Sequence, residues 1–191
     1  AKGLNFPNVT LVGVLGADHY LYSGDFRCAE KTFSLVTQVV GRSGRFEKPG
    51  VACIQTLTPD HPALIHAARQ DYEAFYQEEI QNRKTALLPP FCDLAVVGFS
   101  GVDEDRTWEA AQVVRDRLAR LFTGSGQPVV ILGAAPAAIY RMSGRYRVRI
   151  VLKCRNNAAT RALIRRSVVE EEEKDLPYGV SIYLDMNGDI V

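Results

Sequence analysis

Hydrophobic positions in the first half of the chain follow two different periods. Short β-branched runs are typical of buried strands, and apolar residues at helical spacing predict helices. The predicted strands cover residues 8–18 and 50–57, and the predicted helices cover residues 26–40 and 61–88. The pair Pro89–Pro90 cannot continue a helix, so we place a domain boundary after residue 90. The pattern predicts an α/β domain over residues 1–90, which ends in a connecting helix.

The second half reads as strand, helix, strand, strand, helix, strand. The predicted strands cover residues 94–100, 129–134, 144–153 and 180–186, and the predicted helices cover residues 103–122 and 157–169. Asp103 is a natural N-cap for the first of these helices. A βαββαβ order is typical of the ferredoxin-like arrangement. We therefore predict a small ferredoxin-like domain over residues 91–191.

Composition adds a few limits to this picture. The chain is 47% hydrophobic and 24% charged, as in soluble globular proteins, and no apolar run approaches the length of a membrane span. None of the four cysteines has CxxC spacing, so we expect no metal site, and unpaired cysteines suit the cytoplasm. Cys53 and Cys154 lie in strand-like runs and are expected to be buried. The chain opens without methionine, close to a strand-like run, and we interpret it as part of a longer protein.

Charge is distributed unevenly although the net charge is only +1. Residues 141–166 contain nine basic residues and no acidic one. In the strand over 144–153, alternation places Tyr146, Val148, Ile150 and Leu152 on one side and the cations on the other. Helices should cover one face of the sheet, so the other face could present these cations to a nucleic-acid backbone. The alternative is a solvated sheet face that is basic without a ligand.

The candidate contacts to DNA or a partner combine this strand with its neighbours. They are Arg141, Arg145, Tyr146, Arg147, Arg149, Lys153, Arg161 and Arg165. Arg161 and Arg165 are four residues apart and should share one face of the following helix.

The stretch "TQVVGRSGR", residues 37–45, places Arg42 and Arg45 beside two glycines at the end of a predicted helix. Glycines allow close approach of the backbone, and guanidinium groups bind phosphate with directed hydrogen bonds. The pattern favours a phosphate-binding role for the two arginines. The alternative is that they only cap the helix.

Four segments in this order resemble the C-terminal part of the primosomal replication-restart DNA helicases, the PriA (primosomal protein N-prime) family. The segments are "AKGLNFPNVTLVGVLGAD", "LYSGDFR", "TQVVGRSGR" and "LPPF". The first is similar to motif V of superfamily 2 helicases and the third to motif VI, QxxGRxGR. The resemblance extends through "GRYRVRIVLK" and implies that residues 1–90 are part of a RecA-like second helicase lobe.

The resemblance also implies roles for single residues. Arg45 would be the arginine finger of an ATP site, with Arg42 and Gln38 beside it. The positions that would lie against the nucleotide are Gly3, Asp18, Gly41 and Gly44. The chain has no GxxxxGK[ST] loop and no DExx box, so this chain alone is expected to be inactive.

For the full-length protein, the resemblance implies an ATP-dependent 3′-to-5′ DNA helicase that restarts replication at stalled forks. ATP and Mg²⁺ would be its cofactors, and its zinc would bind upstream of this chain. The implied partners are branched or single-stranded DNA, the acidic tail of single-stranded DNA-binding protein near Arg161 and Arg165, and other primosome proteins. The alternative is a non-enzymatic nucleic-acid or partner-binding module with a vestigial helicase lobe.

Overall fold

The chain divides into two compact units, residues 1–82 and 83–191. The computed structural model describes residues 9–41, 50–170 and 177–186, without the side chains of residues 169 and 170. Each unit combines helices with its own β-sheet, which confirms the predicted α/β class. The boundary between the units comes before the proline pair at which the sequence predicts it.

The first unit places helices against a small parallel sheet. Strands β1 (Leu11–Val14) and β2 (Val51–Ile54) pair in parallel. Its helices are α1 (Asp18–Leu21), α2 (Cys28–Val40), α3 (Pro62–Arg69) and α4 (Tyr72–Thr85), the last of which runs into the second unit. Phe33 and Val36 of α2 share a core with Leu64 of α3 and Phe75 of α4. The Phe33 and Phe75 rings stack with centroids 4.2 Å apart.

The single helix predicted over residues 61–88 is wrong, because the chain turns at Gln70 and Asp71. Gln70 adopts a left-handed conformation with φ of 55°. The Asp71 carboxylate accepts a hydrogen bond of 3.0 Å from the amide of Ala74, which caps the start of α4. An aspartate followed by an acidic first turn is a helix-start signal, and the continuous apolar stripe masks it.

The second unit contains the predicted elements in the predicted order. They are β3 (Asp93–Gly101), α5 (Glu104–Phe122), β4 (Val129–Met142), β5 (Arg145–Cys154), α6 (Ala158–Arg165), a π-helical turn (Arg166–Glu170) and β6 (Val180–Met186). The strands form a four-stranded sheet in the order β4-β5-β3-β6, and every neighbouring pair is antiparallel. Asp103 caps α5 as expected, because its carboxylate accepts from the amide of Arg106 at 3.0 Å.

The core of the second unit lies between one face of this sheet and α5 and α6. Phe99, Ile150 and Leu152 from the sheet pack with Leu118 of α5 and Ile164 of α6, and all five are fully buried. Since side chains alternate along a strand, the neighbouring positions lie on the face that turns away from the helices. We call this second face the open face.

The two cysteines expected to be buried differ. Cys154 is 3% exposed and belongs to the core of the second unit. Cys53 is exposed, so that expectation is wrong. Ile54 packs against the core of the first unit, and alternation along β2 turns Cys53 to the other side of the sheet, which stays exposed among the described residues.

Candidate functional site

The open face brings together cations, hydroxyl groups and one aromatic ring. Antiparallel register places Arg147 of β5 opposite Ser100 of β3, and Ser100 opposite Ser181 of β6. In the next row, Arg149 lies opposite Gly98, and Gly98 lies opposite Tyr183. Asp185, opposite Val96, adds a carboxylate to this face. The side chains of Leu94, Val96 and Val151 on the same face are buried.

The cationic row of β5 is less exposed than the sequence predicts. Arg145, Arg147, Arg149 and Lys153 are all half-buried. Arg145 donates from Nη2 to the carbonyl of Ser100 at 2.6 Å and from Nε to the Ser100 hydroxyl at 3.0 Å. Lys153 donates from Nζ to the carbonyl of Ala86 at 2.5 Å. The two ends of the row are therefore fixed by hydrogen bonds to neutral oxygen atoms of the protein, and these bonds do not cancel the charges of Arg145 and Lys153.

Arg147 and Arg149 form the middle of the row, and no ion pair involves either within the described part of the chain. The Nη1 atom of Arg149 is buried and has no hydrogen-bond partner among the described residues. Burial lowers the pKa of the Arg149 guanidinium, although arginine still keeps its charge at neutral pH. An unsatisfied buried donor costs about 1–3 kcal/mol, so a guanidinium that turned towards an anionic ligand and bonded to it would remove this cost.

Arg141 and Tyr146 meet at the end of the β4–β5 hairpin, on the helix side of the sheet. The Arg141 guanidinium lies 4.9 Å from the centroid of the Tyr146 ring, in a cation–π contact. Tyr146 also contacts Tyr140 edge to face, with centroids 5.6 Å apart. The Tyr140 hydroxyl accepts from Trp108 Nε1 at 2.9 Å and donates to Glu104 Oε1 at 2.5 Å. The hydrogen bond to Glu104 raises the pKa of the Tyr140 hydroxyl. The bonds to Trp108 and Glu104 also fix the Tyr140 ring in its contact with Tyr146.

Arg161 and Arg165 lie together on the exposed side of α6, as the spacing predicts. With Arg166, Ser125 and Gln127 they line a groove of about 530 Å³. Asn157 connects the two sides of this groove. Its carboxamide oxygen accepts from the amide of Thr160 at 2.8 Å, and its nitrogen donates to Gln127 Oε1 at 2.8 Å. Sequence reasoning misses Ser125 and Gln127, because only the tertiary structure brings their loop beside α6.

The residues predicted to face a nucleotide are only partly described. Gly3, Arg42, Gly44 and Arg45 lie outside the described residues. Gly41 ends α2 with φ of −66°, and its amide donates to the carbonyl of Thr37 at 2.9 Å.

Gln38 and Asp18 lie on different elements and differ in how much of each side chain is free. Gln38 is exposed on α2 and lines a pocket of about 360 Å³ with Tyr20, Lys31 and Ser34. The Asp18 carboxylate accepts from the amide of Leu57 and from the hydroxyls of Thr56 and Thr58, each at 2.9 Å. The hydrogen bond from the Leu57 amide lowers the pKa of Asp18 most, and the bonds from Thr56 and Thr58 lower it further. They tie the loop after β2 to α1.

Within the "LYSGDFR" segment, the buried carboxylate of Asp25 bonds to Arg27 and to Lys31 of α2. This carboxylate is 2% exposed and accepts from the Arg27 amide at 3.0 Å, from Arg27 Nε at 3.3 Å and from Lys31 Nζ at 2.5 Å. Burial alone would raise the pKa of Asp25, but the bonds from Lys31 and Arg27 outweigh it and lower that pKa. A lowered folded-state pKa means that this stabilisation is present above the unfolded value and is lost as the pH falls through the folded one.

The described residues contain neither a metal-ligand cluster nor a membrane-spanning helix. Among the described residues, no group of three His, Cys, Asp or Glu side chains is placed to hold a metal ion. Of the helices seen there, none is both long and apolar enough to cross a membrane.

Comparison with known proteins finds a family and several relatives. Residues 84–187 match the family model described as the primosomal protein N C-terminal domain. The replication restart protein PriA of Bacillus subtilis (strain 168) is 42% identical over 189 residues, which are 98% of this chain and 23% of that protein. The proteins of the same name from Treponema pallidum and Chlamydia pneumoniae are 34% and 39% identical over 98% and 80% of this chain. The matched regions cover 20–28% of the length of these three relatives.

Proposed function

The chain belongs to the primosomal protein N C-terminal domain family, and from this premise we propose that it is the C-terminal portion of an ATP-dependent 3′-to-5′ DNA helicase of replication restart. Its second unit binds DNA on the open face. The observation that carries this proposal is the pair Arg147 and Arg149, half-buried on a sheet face that turns away from the helices and unpaired with any described carboxylate. The strand order and the antiparallel pairing support a ferredoxin-like unit.

Phosphate groups of DNA suit this pair for a simple electrostatic reason. Binding a phosphate at a half-buried arginine replaces little water, and each neutralised phosphate releases a condensed counterion. Arg141 lies at the hairpin end on the helix side of the sheet, so it can contact only DNA that extends past the end of the hairpin. The same role implies recognition of forked or branched DNA, other primosome proteins as partners, and a place in the bacterial cytoplasm.

The first unit is proposed as part of a RecA-like second helicase lobe. Gln38 is exposed on α2 and can face a nucleotide bound to the intact protein, together with Arg42 and Arg45. Asp18 fits a different task, because its carboxylate already accepts three hydrogen bonds from residues 56–58. A bound ATP would supply the phosphoanhydride bond whose hydrolysis drives unwinding. Asp18 would hold the loop beside it rather than bind Mg²⁺.

The groove on α6 is proposed to receive the acidic C-terminal tail of single-stranded DNA-binding protein. Arg161 and Arg165 are exposed there and point into one groove with Arg166. A short acidic peptide needs a small number of converging guanidinium groups and an open channel, and the groove of about 530 Å³ has both.

Replacing Arg147 tests the proposed DNA-binding face. Arg147→Ala should weaken DNA binding about three- to ten-fold at moderate salt, because one charge-assisted contact to a phosphate is lost. It should also flatten the plot of log affinity against log salt by about 0.9 for duplex or 0.7 for single-stranded DNA. Fluorescence anisotropy with a forked oligonucleotide at several salt concentrations measures both quantities.

Arg115→Ala is the matched control for this measurement. Arg115 lies on α5, in the helix layer, and forms an ion pair with Asp116 at 2.7 Å. Like Arg147→Ala, the Arg115→Ala substitution removes one positive charge from the chain. Its DNA affinity should stay close to that of the wild type. Equal losses of DNA affinity in the two variants would mean that net charge alone governs binding. An Arg147→Ala variant with unchanged DNA affinity would remove the main support for the open face as the site.

Replacing Arg161 tests the proposed peptide groove. Arg161→Ala should weaken binding of a peptide with the acidic tail sequence about ten-fold or more, because a charge-assisted hydrogen bond is lost. Arg155 is exposed just before α6 and does not line the groove, so Arg155→Ala serves as the control. Isothermal titration calorimetry measures the affinities. A larger loss for Arg155→Ala than for Arg161→Ala would place the peptide elsewhere.

A further inference from the structure

Tyr183 occupies an unusual position at the centre of the open face. It lies opposite Gly98, where a Cβ atom would come within 2.0 Å of Tyr183 Cζ and 2.4 Å of its hydroxyl oxygen. The ring therefore extends from the edge strand β6 across the backbone of Gly98 towards Arg149, the other neighbour of Gly98. Tyr183 is nevertheless 43% exposed. One side of the ring covers the glycine, and the ring remains accessible from the solvent.

Packing explains part of this arrangement. An aromatic ring that covers a cross-strand glycine shields backbone and stabilises a sheet. Packing does not explain why the covering ring stays so exposed, or why it lies in the same row as Arg149 and one row from Arg147. The buried Nη1 atom of Arg149 has no hydrogen-bond partner in the described part of the chain. An exposed aromatic surface with two adjacent guanidinium groups has the chemistry of a nucleotide site. The ring suits a base, and the cations suit its phosphates.

We propose that Tyr183 stacks against one unpaired base of single-stranded DNA while Arg147 and Arg149 hold the adjoining phosphates. This inference rests on the proposed DNA-binding function of the open face and adds a contact to bases that phosphate binding alone does not require. A base inside a duplex is already stacked on its neighbours, so the ring selects single strands. The contact is independent of sequence, because every base has a flat face.

The charges around Tyr183 also indicate on which side the strand lies. Asp185 is on the same edge strand and the same face, one row beyond Tyr183 and away from Arg147. Its carboxylate repels phosphates on that side, whereas Arg147 and Arg149 attract them on the other. A strand that stacks on Tyr183 therefore runs from the ring towards Arg147. Charge complementarity favours this anionic occupant over an apolar segment of a partner protein.

The test compares two oligonucleotides of equal length, one with thymine bases and one in which abasic residues replace the central nucleotides. Both carry the same phosphates, so only the base contact differs. With the full 191-residue chain, Tyr183→Leu should weaken binding of the thymine strand about five-fold or more. The same substitution should leave binding of the abasic strand unchanged. Tyr183→Phe should behave as the wild type, because the ring is kept.

Tyr178 supplies a matched control. It is 91% exposed in the turn just before β6 and lies outside the paired strands, so Tyr178→Leu should not alter the difference between the two oligonucleotides. A second measurement uses the wild-type chain alone and does not depend on the folding of a variant. Ultraviolet cross-linking to an oligonucleotide with 5-iodouracil should join the DNA to Tyr183, as mapped by mass spectrometry.

The outcomes separate this inference from the function on which it rests. If Tyr183→Leu weakens both oligonucleotides equally or neither, or if cross-links form only at other residues, base stacking on Tyr183 is wrong. Arg147→Ala would still weaken both oligonucleotides in that case, and the open face would remain a phosphate-binding surface. If the chain binds neither oligonucleotide and Arg147→Ala changes nothing, the proposed function fails and the stacking site fails with it.

Discussion

Replacing Arg45 with alanine in the full-length protein is expected to lower the rate of ATP hydrolysis by about 10³-fold or more. Charge builds up on the transferring phosphoryl group, and a guanidinium stabilises it through directed hydrogen bonds without losing its proton. The expectation depends on the QxxGRxGR pattern, in which Arg45 is the last residue. Steady-state phosphate release in the presence of saturating forked DNA measures the rate.

Three comparisons make this prediction specific. Arg45→Lys keeps the positive charge but loses the planar fork, so it should recover only a small part of the lost rate. DNA affinity of Arg45→Ala should match that of the wild type, because the open face lies in the other unit. The 191-residue chain alone should release no phosphate above background. A full-length Arg45→Ala protein with near-normal turnover would transfer the finger role to another residue, with Arg42 the first to examine.

Ile150→Ala is expected to lower the free energy of unfolding of the second unit by about 2–5 kcal/mol. Ile150 is fully buried in the centre of β5, among the core residues that α5 and α6 cover. Truncation to alanine removes buried methyl and methylene groups and leaves a cavity that a close-packed core fills only in part. Urea denaturation followed by circular dichroism measures the loss. The protein that remains folded should bind DNA with nearly unchanged affinity.

Arg147→Ala provides the contrast within the same strand. Its side chain lies on the open face and has no ion pair among the described residues, so its loss should leave the unfolding midpoint close to the wild-type value. Ile150→Ala should therefore destabilise without a binding defect, and Arg147→Ala should do the reverse. If Arg147→Ala unfolds early while Ile150→Ala loses DNA binding, the assignment of the two faces is inverted.

Much of the second unit can be predicted from the sequence because its signals are local. The two-residue period of β5 is enough to assign Val148 and Ile150 to the core, and both are buried. Asp103 marks the start of α5, since its side chain can bond to an amide only three residues away. The same kind of local signal fails at Gln70, where the apolar stripe continues past a left-handed residue that ends α3.

The candidate site could be predicted only in part, because strand pairing depends on contacts between distant segments. The alternation of β5 is enough to identify Arg147 and Arg149 as neighbours on one face. Nothing near Tyr183 in the sequence indicates that it lies across Gly98 beside Arg149, since that depends on the register of β3 with both β5 and β6. Register also bonds Arg145 to Ser100, and chain packing brings Lys153 to Ala86. Local pattern therefore predicts which cations share a face of the sheet, and long-range pairing determines which of them are held by hydrogen bonds within the protein.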